Sequence, residues 1–161
     1  MFTRNRNKAI IDYIIRASLV VALVFSVFFM IVSFYRFDTK NTIVVAGQNI
    51  DIELVSSLED KARGLSNREE LKENKGMLFV YDNYLIPGFW MKEMRFPIDI
   101  IWIKDDMIMG YEKNLKLSVD NQPLQIYQPK TFVNYVLEVN AGFVDRYGVR
   151  VGDKITFFNK K

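Results

Sequence analysis

The stretch Phe89-Trp90-Met91-Lys92-Glu93-Met94-Arg95-Phe96-Pro97-Ile98-Asp99-Ile100-Ile101-Trp102-Ile103 lies at the centre of the chain and decides how the rest is read. Pro97 has no N–H to give to a ladder, so the stretch cannot be one unbroken strand. It divides into a strand at 89–91, a bend at 92–97 and a strand at 98–103. Downstream, Lys104-Asp105-Asp106 turns the chain into a strand at 107–113. A polar loop from Asn114 to Pro123 leads to strands at 124–128 and 132–139. Asn140 can cap a helix over 141–147 that closes at Gly148, and a last strand occupies 154–158. Upstream, Met77 to Tyr81 is a continuous apolar strand. Thr42–Ala46 and Ile50–Val55 form a hairpin about Gly47-Gln48-Asn49. Between these lie two helix starts. Ser57-Leu58-Glu59-Asp60 opens a turn ending at Gly64, and Ser66-Asn67-Arg68-Glu69 opens a second helix ending near Asn74 to Gly76. Many short strands with brief helices predict a mainly β (α+β) class, a small antiparallel β-barrel or sandwich with short helices.

The 161 residues are 50% hydrophobic and 25% charged, which fits one ordinary domain. Histidine and cysteine are both absent. That excludes Ser-His-Asp and Cys-His machinery, thiolate or imidazole zinc sites, disulfides and histidine switches. No cofactor is expected. Charge is uneven: residues 1–37 carry five basic groups and one acidic, whereas 38–161 carry 17 basic and 18 acidic. The folded part therefore has no positive surplus, and nucleic acid is not an expected partner.

Ala17 to Tyr35 holds no charged residue, and at ~1.5 Å per residue it would extend about 28 Å as a helix, close to the ~30 Å hydrocarbon core. It reads as a transmembrane helix and a retained signal anchor. Arg4, Arg6, Lys8 and Arg16 before it predict a cytoplasmic N-terminus and an extracytoplasmic C-terminal domain, with the lipid bilayer as partner of residues 17–35. The expected organisation is a basic N-terminus (1–16), the transmembrane helix (17–35), a linker (36–42), a β-rich domain (43–158) and a basic tail (159–161).

Several blocks then occur in one order: Arg63-Gly64-Leu65 with Arg68; Gly76-Met77-Leu78-Phe79-Val80; Phe89-Trp90-Met91-Lys92; Pro97-Ile98-Asp99-Ile100; Val136 to Gly142; Gly148; and Gly152-Asp153. Together they resemble the DUF192 (UPF0127) family over roughly residues 43–158. The resemblance implies a small compact β-rich domain, commonly exported or membrane-tethered, and no established reaction. Where relatives read Asn-Thr after the lysine, this chain has Glu93-Met94; where they often have Met after Gly-Leu, it has Ser66. The segment Asn140 to Phe158 also resembles the GD box of cradle-type barrels, in which the aspartate bonds turn amides.

Five residues are candidates for a ligand site: Trp90, Lys92, Asp99, Glu138 and Arg63. Residues 90 and 92 of a strand share a face, and a bend at Pro97 could return Asp99 toward them. A lysine beside a carboxylate and an indole suits an anionic or saccharide ligand. The same residues also read as a core tryptophan, a lysine snorkelling over it and an aspartate capping a bend. Glu138 lies in line with Val136, a core residue type. It is either edge-exposed or paired, with Arg63, Lys92 or Arg95 as partners. As a pair, Asp99 and Glu138 are also candidate catalytic carboxylates for glycoside hydrolysis. Asp105-Asp106 reads as a turn, and no metal site is expected. The expected function is a membrane-anchored extracytoplasmic module binding a small ligand or envelope partner, the alternative an envelope hydrolase using those carboxylates.

Overall fold

In a computed structural model of the chain, residues 16–27, 41–118 and 123–159 are described. The chain divides into two compact units, Met1–Asp38 and Thr39–Lys161. In the first, residues 16–27 form helix α1. The second runs β1 (Asn41–Val45), β2 (Gln48–Val55), α2 (Leu58–Arg63), β3 (Lys75–Leu85), β4 (Ile98–Lys104), β5 (Met107–Leu115), β6 (Val133–Asn140), α3 (Phe143–Tyr147) and β7 (Thr156–Asn159).

The seven strands make one sheet in the order β5-β4-β6-β3-β2-β1-β7. Neighbours are antiparallel except β2 and β3, which run parallel with Asp51 opposite Lys75 and Val55 opposite Phe79. The sheet curls until its ends meet at one corner: Met107 bridges Lys154, and the N–H of Gly152 donates to the carbonyl of Ile108. β5 and β7 form no ladder. The expected antiparallel barrel or sandwich is therefore corrected to a mixed α+β fold with a curled seven-stranded half-barrel and three short helices. The parallel pair has a simple cause. The chain leaves β2 into α2 and a run of turns rather than a hairpin, and so re-enters the sheet in the same direction.

Both faces of the sheet are covered. One carries Ile50, Ile52, Leu78, Ile101, Ile103, Leu137 and Val139 against Phe143 and Val144 of α3. The other carries Met77, Phe79, Ile98, Ile100, Trp102 and Val136 against Phe89, Met91 and Leu65 from the loops. Two-sided burial explains why β4 is buried from Ile98 to Ile103 and apolar there at every position but Asp99, which a half-exposed strand would not show. Pro97 sits just before β4 and leaves its ladder intact.

Local expectations divide. The first helix start holds: Ser57 Oγ accepts from the Asp60 N–H, and Gly64 ends α2. The second does not form a helix. Asn67 takes φ 63°, its N–H donates to the Glu93 carbonyl and Ser66 Oγ donates to the Lys92 carbonyl, so a long-range clamp replaces the local cap. The first hairpin turns at Ala46-Gly47, both at positive φ (48° and 76°), one residue earlier than the sequence suggests. Residues 89–91 and 124–128 contribute only the bridge Phe89–Tyr127.

The expected transmembrane helix over 17–35 is also corrected. Of that stretch, helix is described over residues 17–27, and α1 as described begins at residue 16. No helix among the described residues is long and apolar enough to cross a membrane. Residues 28–35 of the expected span lie outside the described residues. The described residues therefore give no support to the signal anchor, the bilayer contact or the sidedness inferred from it.

Candidate functional site

The site is built on the face of the sheet that carries Trp102. Register places Glu138 of β6 between Met77 of β3 and Ile100 of β4, both almost wholly buried. The next row on that face is Phe79, Val136 and Trp102. Above them α2 and the segment from Gly88 to Met94 leave an open cleft of about 210 Å³. Phe79, Tyr81, Phe89 and Trp90 supply its aromatic walls, Lys61 and Arg63 its basic rim, and Glu138 its carboxyl. Phe89 meets Phe79 and Trp102 edge to face, at centroid distances of 4.8 and 5.5 Å. Gly64 closes the cleft beside the acid. At φ 51° a side chain there is strained, and a Cβ would stand 3.4 Å from the Phe79 ring and 4.0 Å from Glu138 Oε2.

Glu138 is 5% exposed, and its Oε2 is buried with no hydrogen-bond partner. Burial pushes the carboxyl up to about 8, and Arg68 pulls it only partly back. It is therefore mostly protonated at neutral pH. The three cations expected as partners are engaged elsewhere: Arg63 with Asp60 and Glu59, Lys92 with Glu93, Arg95 with Glu69. Arg68 is bound by both oxygens of Glu53, at 2.7 and 2.9 Å. Glu53 lies opposite Met77, in the same row as Glu138 but nearer the solvent. The guanidinium takes the wetter carboxylate and leaves the drier one with its field alone. The Tyr81 phenol, pushed up to about 12 by burial and then by the Glu138 charge, completes the surroundings of the acid.

Of the five candidate residues, Trp90, Arg63 and Glu138 come together in this cleft, with Trp90 40% exposed. Lys92 does not line it; its ammonium lies 3.7 Å from Glu93 at the surface. Asp99 lies on the opposite face of the sheet, because it pairs with Val139 while Ile100 pairs with Glu138. There Oδ1 accepts from the N–H groups of Asn114 (2.8 Å) and Gly142 (3.2 Å), and Oδ2 from Val144 (2.9 Å). It is a wholly buried structural acid capping α3, the role expected of Asn140, whose amide instead donates to the Leu71 and Lys72 carbonyls. Two carboxyls separated by a sheet cannot flank one glycosidic bond, which removes the hydrolase alternative. No cluster of three acidic metal ligands occurs among the described residues.

Lys61, Gly64, Arg68, Phe79 and Tyr81 were not expected at the site. Phe79 was legible in principle, since it shares the parity of Met77, which faces Glu138. Arg68 was not, because its position depends on the clamp that replaces the second helix.

The DUF192 family, described as an uncharacterized ACR, matches residues 41–157. The chain belongs to the DUF192 family. Among solved structures, this DUF192 chain is similar to a Sinorhizobium meliloti 1021 protein provisionally named a transcription regulator. That likeness has 28% identity and a TM-score of 0.65, over 73% of this chain and 92% of the other. It is also similar to a Novosphingobium aromaticivorans DSM 12444 protein of unknown function, at 28% identity and a TM-score of 0.64, over 73% of this chain and 83% of the other. No curated protein matches the chain. These likenesses and the family match describe an uncharacterised domain, and they give no support to the expected membrane-anchored envelope module.

Proposed function

We propose that this DUF192 domain binds a small molecule in the cleft beneath α2, with Glu138 as the group that recognises it. One observation carries this: a buried carboxyl oxygen without a partner borders an open, aromatic-walled cleft. An unsatisfied buried polar atom costs roughly 1–3 kcal/mol, and a ligand that supplies its hydrogen bond recovers that cost. Arg63 and Trp90 also line the cleft, where a half-exposed indole can cover a bound group. The cleft is small beside the ~300–1,000 Å³ of pockets for drug-sized molecules, so the ligand is of fragment size.

A fragment screen by amide and indole chemical shifts tests this. Hits should move Gly64 and the Trp90 indole together, while Asp99 on the far face stays unmoved. A screen whose hits all bind elsewhere, leaving Gly64 and Trp90 untouched, refutes the proposal.

A further inference from the structure

Resting on that reading, we infer that the ligand is a small organic ammonium ion, held between the aromatic walls and ion-paired with Glu138 Oε2. Three features of the cleft converge on this class. Four aromatic residues, Phe79, Tyr81, Phe89 and Trp90, line one small space, and aromatic faces attract cations through their quadrupole. The acid bordering that space lacks the donor that a buried carboxyl requires, and an ammonium N–H is such a donor. An ammonium also already rests on one of the walls: Lys61 Nζ lies 4.3 Å from the centroid of the Tyr81 ring.

The basic rim does not oppose a cation. Arg63 is matched by Asp60 and Glu59, and Arg68 by Glu53. Counting Lys61, Arg63 and Arg68 against Glu53, Glu59 and Asp60, the surroundings are neutral before Glu138 is included. Ionised Glu138 then leaves a single negative charge facing the aromatic walls, and an entering ammonium neutralises it. Size narrows the class further. A dry cavity of ~150 Å³ accepts benzene, so about 210 Å³ suits one ring or a short chain bearing one amino group.

The test uses three probes of nearly equal size, benzylammonium, benzyl alcohol and benzoate, titrated into the full chain while Trp90 fluorescence and amide shifts are followed. Benzylammonium should bind about tenfold or more tighter than benzyl alcohol, and benzoate weakest. Calorimetry at pH 7 in buffers of different ionisation heat should find about one proton released per benzylammonium bound, as Glu138 ionises. In Glu138→Gln the preference for the ammonium over the alcohol should fall to near one. Trp90→Leu, a surface change that leaves the core intact, should weaken benzylammonium more than benzyl alcohol. Benzyl alcohol or benzoate binding in the cleft as well as or better than benzylammonium overturns the ammonium class and leaves the cleft as a binding site. An unchanged preference in Glu138→Gln, or no proton release, overturns the ion pair. Failure of all three probes to move Gly64 or Trp90 overturns the class, and the cleft itself falls only if the wider fragment screen also finds nothing there.

Discussion

Replacing Glu138 with glutamine should make the protein more stable at alkaline pH, which is unusual for a change in a buried core. The folded protein holds the Glu138 proton up to about pH 8, whereas the unfolded chain releases it near the ordinary 4.5. Between those values the folded state binds more protons than the unfolded, so stability falls as pH rises. This is the reverse of the usual salt-bridged carboxylate. At 1.36 kcal/mol per pH unit, the proton's contribution is about 4 kcal/mol at pH 5, about 1.4 at pH 7 and close to zero at pH 9. Glutamine has nearly the same shape and never ionises. The stability advantage of Glu138→Gln over the wild type should therefore grow by about 4 kcal/mol between pH 5 and pH 9. Urea unfolding at pH 5, 7 and 9 measures the difference directly, with the m-value as a check that the same surface is exposed in both proteins. Parallel pH profiles for the two proteins would mean that Glu138 ionises alike in the folded and unfolded states, and would refute a buried, protonated acid in the cleft.

Other residues are expected to separate structural roles from binding. Asp99→Ala should cost roughly 3 kcal/mol in denaturant unfolding, since three backbone N–H groups lose their acceptor, yet leave fragment shifts at Gly64 and Trp90 unchanged. Gly64→Ala should cost about 1–2 kcal/mol through its left-handed φ and crowd the cleft, lowering both the melting temperature and fragment affinity. Ala46→Asn should raise the melting temperature by a few degrees, because a two-residue turn with both φ values positive favours asparagine before glycine, worth about 0.5 kcal/mol. A fall in melting temperature there would show that contact between Ala46 and the core outweighs its backbone strain.

Much of the domain was legible wherever structure depends on neighbours in sequence. Ser57 and Gly64 bracket α2 as their capping chemistry requires. Pro97 lies outside the ladder, and Asp153 accepts from the Arg150 N–H in the expected turn. The errors arise where a distant contact or a length decides. Ser66-Asn67-Arg68-Glu69 has the composition of a helix start, but the segment instead clamps the 92–93 turn, and the Asn67 amide donates to Glu93 Oε2. The parallel β2–β3 pair and the open edges of the half-barrel are likewise set by how the sheet closes, which no local pattern encodes. Ala17 to Tyr35 has the composition of a span, but no helix among the described residues is long and apolar enough to cross a membrane.

The carboxylates show how small a structural detail separates two functional readings. Asp99 and Glu138 sit on adjacent strands, and strand period alone makes each an acid within an apolar run. Whether they can cooperate depends on register: Asp99 opposite Glu138 would bring both to one face, whereas Asp99 opposite Val139 sends them to opposite faces. That shift of one residue turns a possible dyad into a helix cap and an isolated acid. The same step explains why Glu138 has no partner. On its own face its cross-strand neighbours are Met77 and Ile100, and the acid beyond Met77 is Glu53, which holds Arg68. A cation that could pair with either carboxylate favours the more hydrated one, where less desolvation is required. The unpaired acid is thus a consequence of strand order, with Glu53 at the wet end of a row and Glu138 within it, and binding at the cleft depends on that order being kept.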